Sequence, residues 1–248
     1  MATSLKDARA MVKAAKEAKK RLMIHMSMRF SPQFYLMKKL IAQGVLGGIY
    51  YGKSSWLRRR GTPVIDFPST GPMARGDWFV QKEKSGGGAL MDIGVHMYDL
   101  AWWMMDCPKV ASVMGSSYTE VTPPRFKEKG ICAEVDELST IFVKFKNGAS
   151  LFSEISWDAH MEPTFSIQLF GNKAGIRFQD SSLVLFRDEG GAPAKTSIEI
   201  PSQESVETSY HYFVSAIIGE NKKMIASGKE CLEVMKVLEV IKQSSKNK

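Results

Sequence analysis

The stretch Asp136 to His160, DELSTIFVKFKNGASLFSEISWDAH, decides the fold class. Apolar and polar residues alternate along STIFVKF and again along SLFSEIS, the period of a half-buried strand. Between them, Lys146-Asn147-Gly148-Ala149 has the asparagine-glycine chemistry of a tight hairpin. The same extended pattern recurs upstream in VASVMGSSYTEV (110–121) and downstream in TFSIQLFGNKAGIRFQD (164–180), SLVLFRD (182–188) and KTSIEIP (195–201). A further strand is expected in GGIYYGKSSWLRRRG (47–61). Short turns between successive strands imply antiparallel pairing.

Helical periodicity flanks this strand-rich region. TSLKDARAMVKAAKEAKK (3–20) opens on a capping pattern, and Leu5, Ala8, Met11, Val12 and Ala15 share one side. SPQFYLMKKLIAQG (31–44) places Pro32 in a tolerated first-turn position. Two more helices, near 206–220 and 228–245, close the chain. RLMIHMSM (21–28) reads as a short apolar strand. The expected fold is therefore α+β: a large open, mainly antiparallel sheet with helices on one face, preceded by a lone helix-strand piece. Apolar residues stand on both faces of STIFVKFK and SLFSEISWDAH, so the uncovered face predicts a homodimer, or a tetramer, through the sheet.

Bulk properties narrow the function. The chain has 248 residues, 44% hydrophobic and 24% charged, which is enough for a sizeable core without disulfide or metal staples. Cys107, Cys132 and Cys231 are scattered and form no metal-type pair, as expected of a reducing, cytoplasmic location. No apolar run approaches the ~18 residues of a membrane span. The net charge of +8 comes without a nucleic-acid motif and reads as a solvated basic surface. A long irregular stretch from Thr62 to Lys84 is a candidate functional loop.

One helix carries polar residues where its surroundings are oily. Lys84 to Met105, KSGGGALMDIGVHMYDLAWWMM, is apolar on most of its circumference yet contains Asp92, His96 and Asp99. At about 100° per residue these three share a sector of roughly 60°. A carboxylate in such a place needs a partner or a wet cavity. Gly86, Gly87 and Gly88 would let a ligand approach the first-turn N–H groups. His96 can take and return a proton near neutral pH. Asp92, one turn earlier, could bond the ring, fix its tautomer or anchor a hydroxyl. A metal would need a third ligand, and Asp99 is poorly placed to supply it, so none is expected. Glu154, Ser156, Asp158 and His160 also share a face at period two, as a polar sheet rim or a second site.

GGGALMDIGVHMYDLAWWM resembles the GGG-x-x-x-D-x-G-x-H-x-x-D signature of the Gfo/Idh/MocA oxidoreductases. MSMRFSPQF resembles that family's segment leading into its second domain, and ARGDWFVQKEKSGGG the loop before the signature helix. The resemblance implies an NAD(P)-dependent dehydrogenase acting on a small polyol or sugar. It implies Asp92 and His96 as catalytic residues, Lys84, Trp78 and Asp99 near the substrate, and Arg29 near the cofactor. The family's G-x-G-x-x-G turn and Glu-Lys-Pro segment are not in this sequence. The expectation is then a remnant of a dinucleotide-binding domain over 1–30 and a substrate-binding and oligomerisation domain over 31–248. NAD or NADP would be bound poorly by this chain alone; a split gene with a separate dinucleotide-binding chain and a shortened reading frame are both open readings. A non-catalytic oligomerisation scaffold is the competing reading. The strand at 21–28, without neighbours, would seek a subunit contact.

Overall fold

The computed structural model describes residues 1–63, 76–128, 130–219 and 223–244. Helix α1 (Leu5–Glu17) and helix α2 (Pro32–Ala42) come first, then strand β1 (Ile49–Leu57). A single helical turn, α3 (Lys82–Ser85), leads to a π-helical turn at Leu90–Gly94 and helix α4 (Val95–Met104). Strand β2 (Val110–Tyr118), the short helix α5 (Thr122–Glu128), and strands β3 (Leu138–Phe145) and β4 (Ser150–Ser156) follow. Next come β5 (Thr164–Gly171), β6 (Gly175–Gln179), β7 (Ser182–Glu189) and β8 (Ala192–Ile198). Helices α6 (Ser209–Ile218) and α7 (Gly228–Ser244) end the described chain.

The eight strands form one open sheet in the order β2-β3-β4-β1-β5-β6-β7-β8. The β3–β4 hairpin turns at Gly148, whose φ of +88° a side chain would strain. Only β1 with β4 is parallel; β1 wedges between β4 and β5, antiparallel to the latter. Local turn chemistry cannot show such an insertion, because strand 1 arrives from more than ninety residues upstream of its partners. Ile141 and Val143 on β3, Leu151 and Ile155 on β4, and Ile167 and Leu169 on β5 are buried under the helical layer. Helix α4 packs on β1 and β4, and α7 packs on β2, α1 and α4. The α+β open sheet covered by helices is thus as the sequence implies.

Two local readings change. Residues 21–28 are not a strand of any sheet: Met23 makes one bridge to Ser227, and Ser27–Phe30 turns as a 3-10 helix. Its backbone groups find partners inside the chain, with Ile24 N–H donating to Ala226 O and Gly228 N–H to Leu22 O. The extended residues therefore pair with the segment entering α7. Ala8 and Met26 join the same core as the sheet. Helix α5 was unforeseen in TPPRFKE; the Glu137 carboxylate accepts from the N–H groups of Glu120, Val121 and Thr122 and holds its start from across the chain. Most of the Thr62–Lys84 loop, residues 64–75, lies outside the described residues.

Candidate active site

The entry to the Asp92–His96 helix is built by one carboxylate from a distant strand end. Asp136 accepts from Gly88 N–H at 2.8 Å and Leu90 N–H at 2.7 Å, and its backbone O accepts from Ala89 N–H at 2.9 Å. A Cβ on Gly88 would stand 1.8 Å from that backbone oxygen. The glycine is thus required by contact between two chain segments. The expectation that the first-turn N–H groups wait for a ligand is corrected for Gly88 and Leu90: Asp136 holds both. Burial raises the Asp136 pKa, outweighing the stabilisation its donors give the carboxylate.

The first turn is π-helical, so one more residue is fitted into it than an α-turn allows. Asp92 lies within this turn and His96 just beyond its end. Asp92 Oδ2 accepts instead from the indole N–H of Trp157 at 2.9 Å. The Nδ1 of His96 is buried without a hydrogen-bond partner. Burial lowers the His96 pKa more than the Asp99 and Asp92 carboxylates raise it, so the neutral ring is favoured. Both side chains face a cavity of about 250 Å³, lined also by His25, Trp78, Gly87 and Met91. Trp78 stacks on Phe79 with centroids 3.9 Å apart and stays 45% exposed. A half-buried guanidinium, Arg58, lies over Trp56 at 4.6 Å and feels the Asp92 charge, though burial still lowers its pKa.

The other expected site residues separate from this cavity. Lys84 is exposed and lines a different hollow with Gln81, Cys132 and Glu134. Asp99 is 1% exposed and takes a bidentate pair from Arg29, Nε to Oδ2 at 2.9 Å and Nη2 to Oδ1 at 2.6 Å. Arg29, also 1% exposed, reaches Glu230 at 3.0 Å through Nη1 and lies over the Trp103 ring. Burial opposes its charge, but Asp99 and Glu230 outweigh that and hold its pKa above the ordinary value. The pair ties α4 to the turn before α2 and to α7. Neither partner lines the cavity; Arg29 and Asp99 pair with each other away from it. In the 154–160 group, Asp158 is buried and paired with Arg60 and Arg125, while Glu154 accepts from Ser55. The residue between them, Trp157, is the one that meets the cavity helix.

Sequence reasoning missed Trp157, Asp136 and His25. His25 Nε2 and Ser209 Oγ are 2.9 Å apart, and the His25 ring leans on Tyr210. No local pattern marks these residues; only Trp157 had a signal, as a large aromatic at the end of a strand. A glycine-rich strand-to-helix turn that could cradle a pyrophosphate is absent from the sequence.

This combination of a one-sided open sheet and a glycine-led helix carrying Asp92 and His96 defines a known class. The Gfo/Idh/MocA C-terminal domain family matches residues 34–177, and the chain belongs to the Gfo/Idh/MocA family. Among its relatives is the D-glucoside 3-dehydrogenase of Escherichia coli, 30% identical over 180 residues, covering 68% of this chain and 47% of that protein. The levoglucosan dehydrogenase of Pseudarthrobacter phenanthrenivorans is 27% identical over 192 residues, covering 72% and 47%. The chain thus spans about half the length of these curated relatives. Among solved structures, a levoglucosan dehydrogenase with NADH and levoglucosan shares the fold at a TM-score of 0.80 and 20% identity, covering 99% of this chain and 69% of that one. An aldose-aldose oxidoreductase from Caulobacter crescentus does so at 0.77 and 22% identity, covering 100% and 68%. No helix among the described residues is long and apolar enough to cross a membrane.

Proposed function

We propose that this chain is the substrate-binding module of an NAD(P)-dependent sugar or polyol dehydrogenase. The observation that carries the reading is that Asp92 and His96 line one cavity of about 250 Å³ together. A carboxylate and a neutral imidazole side by side in a cavity can accept a hydroxyl hydrogen bond and take its proton. Asp92 accepts a hydrogen bond from the substrate hydroxyl and orients it. His96, kept neutral by its surroundings, receives the hydroxyl proton. A bound dinucleotide would supply the hydride acceptor for the carbon bearing that hydroxyl. Trp78, exposed at the same cavity, offers an aromatic face to a sugar ring. Lys84, Asp99 and Arg29 act at a distance, through the surface and the ion pair that holds the helix.

The reading is supported by relatives that are sugar dehydrogenases and by a structural neighbour holding NADH. A separate dinucleotide-binding unit would present the nicotinamide; one relative is described as an oxidoreductase subunit. Calorimetry on the purified chain with levoglucosan and simple glucosides tests the site. Binding should weaken by about tenfold or more in H96A, the loss of roughly 1.4 kcal/mol. Sugar binding undiminished in H96A would sink the site assignment. Micromolar binding of NADH to this chain by itself would remove the need for a separate cofactor unit.

A further inference from the structure

Trp157 is the largest fully buried side chain of the protein, at 0% exposure, one residue beyond the end of β4. Its backbone N–H donates to Glu137 O at 2.8 Å, which ties the residue to the strand beside it. The ring is therefore fixed by packing and by its main chain before any contact with the site is made. Its one polar atom, Nε1, donates to Asp92 Oδ2 at 2.9 Å. A buried indole N–H needs an acceptor, and here the acceptor is the carboxylate facing the cavity.

The approach of the two elements is itself arranged. Gly94, two residues after Asp92, lies against Ile155, two residues before Trp157. A Cβ on Gly94 would come 3.1 Å from Ile155 Cγ1. The absence of a side chain there lets the π-helical turn sit close on β4, near enough for Asp92 to reach the indole. An aspartate on a helix surface has two free torsions, and a hydrogen bond from a rigid donor removes most of that freedom.

We propose that Trp157 is a positioning residue: its indole N–H holds Asp92 in one rotamer, with Oδ2 turned to the sheet and Oδ1 left to accept the ligand hydroxyl beside His96. The hold on Asp92 stands on the geometry alone; its value to a ligand rests on the function proposed above. Division of the carboxylate in this way explains why Asp92 does not bond the His96 ring, whose Nδ1 stays unpartnered. The indole is then served by Oδ2, and the ligand meets Oδ1 and the imidazole.

The test uses the chain as it is. The protein has five tryptophans, so five indole N–H signals are expected in a nitrogen-15 correlation spectrum. D92A leaves Trp157 in place and should shift one of them and speed its exchange with solvent. W157F keeps a ring in the core and removes the donor along with part of the ring volume; its crystal structure should show Asp92 in a different rotamer or in several. Sugar affinity should fall about tenfold in W157F, and W157F should add nothing in a D92A background, because both changes remove one linkage. Asp92 unmoved in W157F, an indole signal indifferent to D92A, or additive losses in the double variant would each overturn the proposal. Failure of the unaltered chain to bind any sugar would sink the proposed function, while the spectra and the W157F structure still decide whether Trp157 holds Asp92.

Discussion

His96 shows how a single ring ties chemistry to stability. Its pKa is lowered from the ordinary 6.5, chiefly by burial, and the nearby carboxylates only partly restore it. In the unfolded chain the same ring titrates normally, so on acidification the unfolded state takes up the proton first. The contribution to stability is whole above about pH 6.5 and is lost as pH falls through the depressed folded value. Urea unfolding of the wild type and of H96N should therefore differ by a constant amount above pH 7. Below pH 6 the wild type should lose stability faster than H96N, by about 1.4 kcal/mol for each unit of depression. The other three histidines are common to both proteins and cancel. Parallel curves down to pH 5 would mean the ring titrates freely in the fold. At this scale Asp92 and His96 were legible because a polar pair on an oily helix is conspicuous. Trp157 and Asp136 were not: they act on the helix from 65 and 48 residues away, across a sheet.

The helix from Leu90 to Met104 is held at three levels. Asp136 fastens its first N–H groups, Trp157 takes Asp92, and Arg29 grips Asp99 at its middle. The Arg29–Asp99 pair has side chains 0% and 2% exposed, so removing one partner strands a buried charge. R29M should cost about 3–5 kcal/mol in urea unfolding. R29M/D99L should recover much of that, since Glu230 is partly exposed and can turn to water. A double variant as unstable as R29M alone would show that the arginine stabilises by packing, not by balancing Asp99. Helical spacing correctly placed Asp92, His96 and Asp99 on one element, but it assumed a uniform α-helix. The turn at Leu90–Gly94 is π-helical, and Gly94 seats closely on Ile155, a contact no periodicity can express. The 21–28 segment failed for a related reason. Its apolar run is real, but it meets the backbone of 226–228 and not a sheet.

Across the whole molecule, the face of the sheet away from the helices carries a row of large apolar side chains. Met114, Phe142 and Phe152 sit side by side on β2, β3 and β4. The Tyr51 ring on β1 leans at a tilt on Phe170 of β5, and Met114 is 67% exposed. Lys53 lies over Phe152, and Arg177 over Phe186, giving the face charges as well as oil. We expect a homodimer, or a tetramer, through this face. Light scattering at micromolar concentration should report it, and F152E should yield the monomer by placing a desolvated charge in the contact. A wild type that is already monomeric would leave the face without a partner of its own kind.

The sequence by itself determined the strand-rich middle, the flanking helices and the helix that bears Asp92 and His96. Those follow from alternation, turn chemistry and helical spacing, which act over a few residues. Tertiary structure alone decided that β1 lies between β4 and β5, that Gly88 yields to the Asp136 backbone, and that Arg29 closes on Asp99. It also decided that Trp157, not His96, takes Asp92. Each of these joins residues dozens of positions apart, and a contact of that kind exists only once packing has brought its two halves within reach.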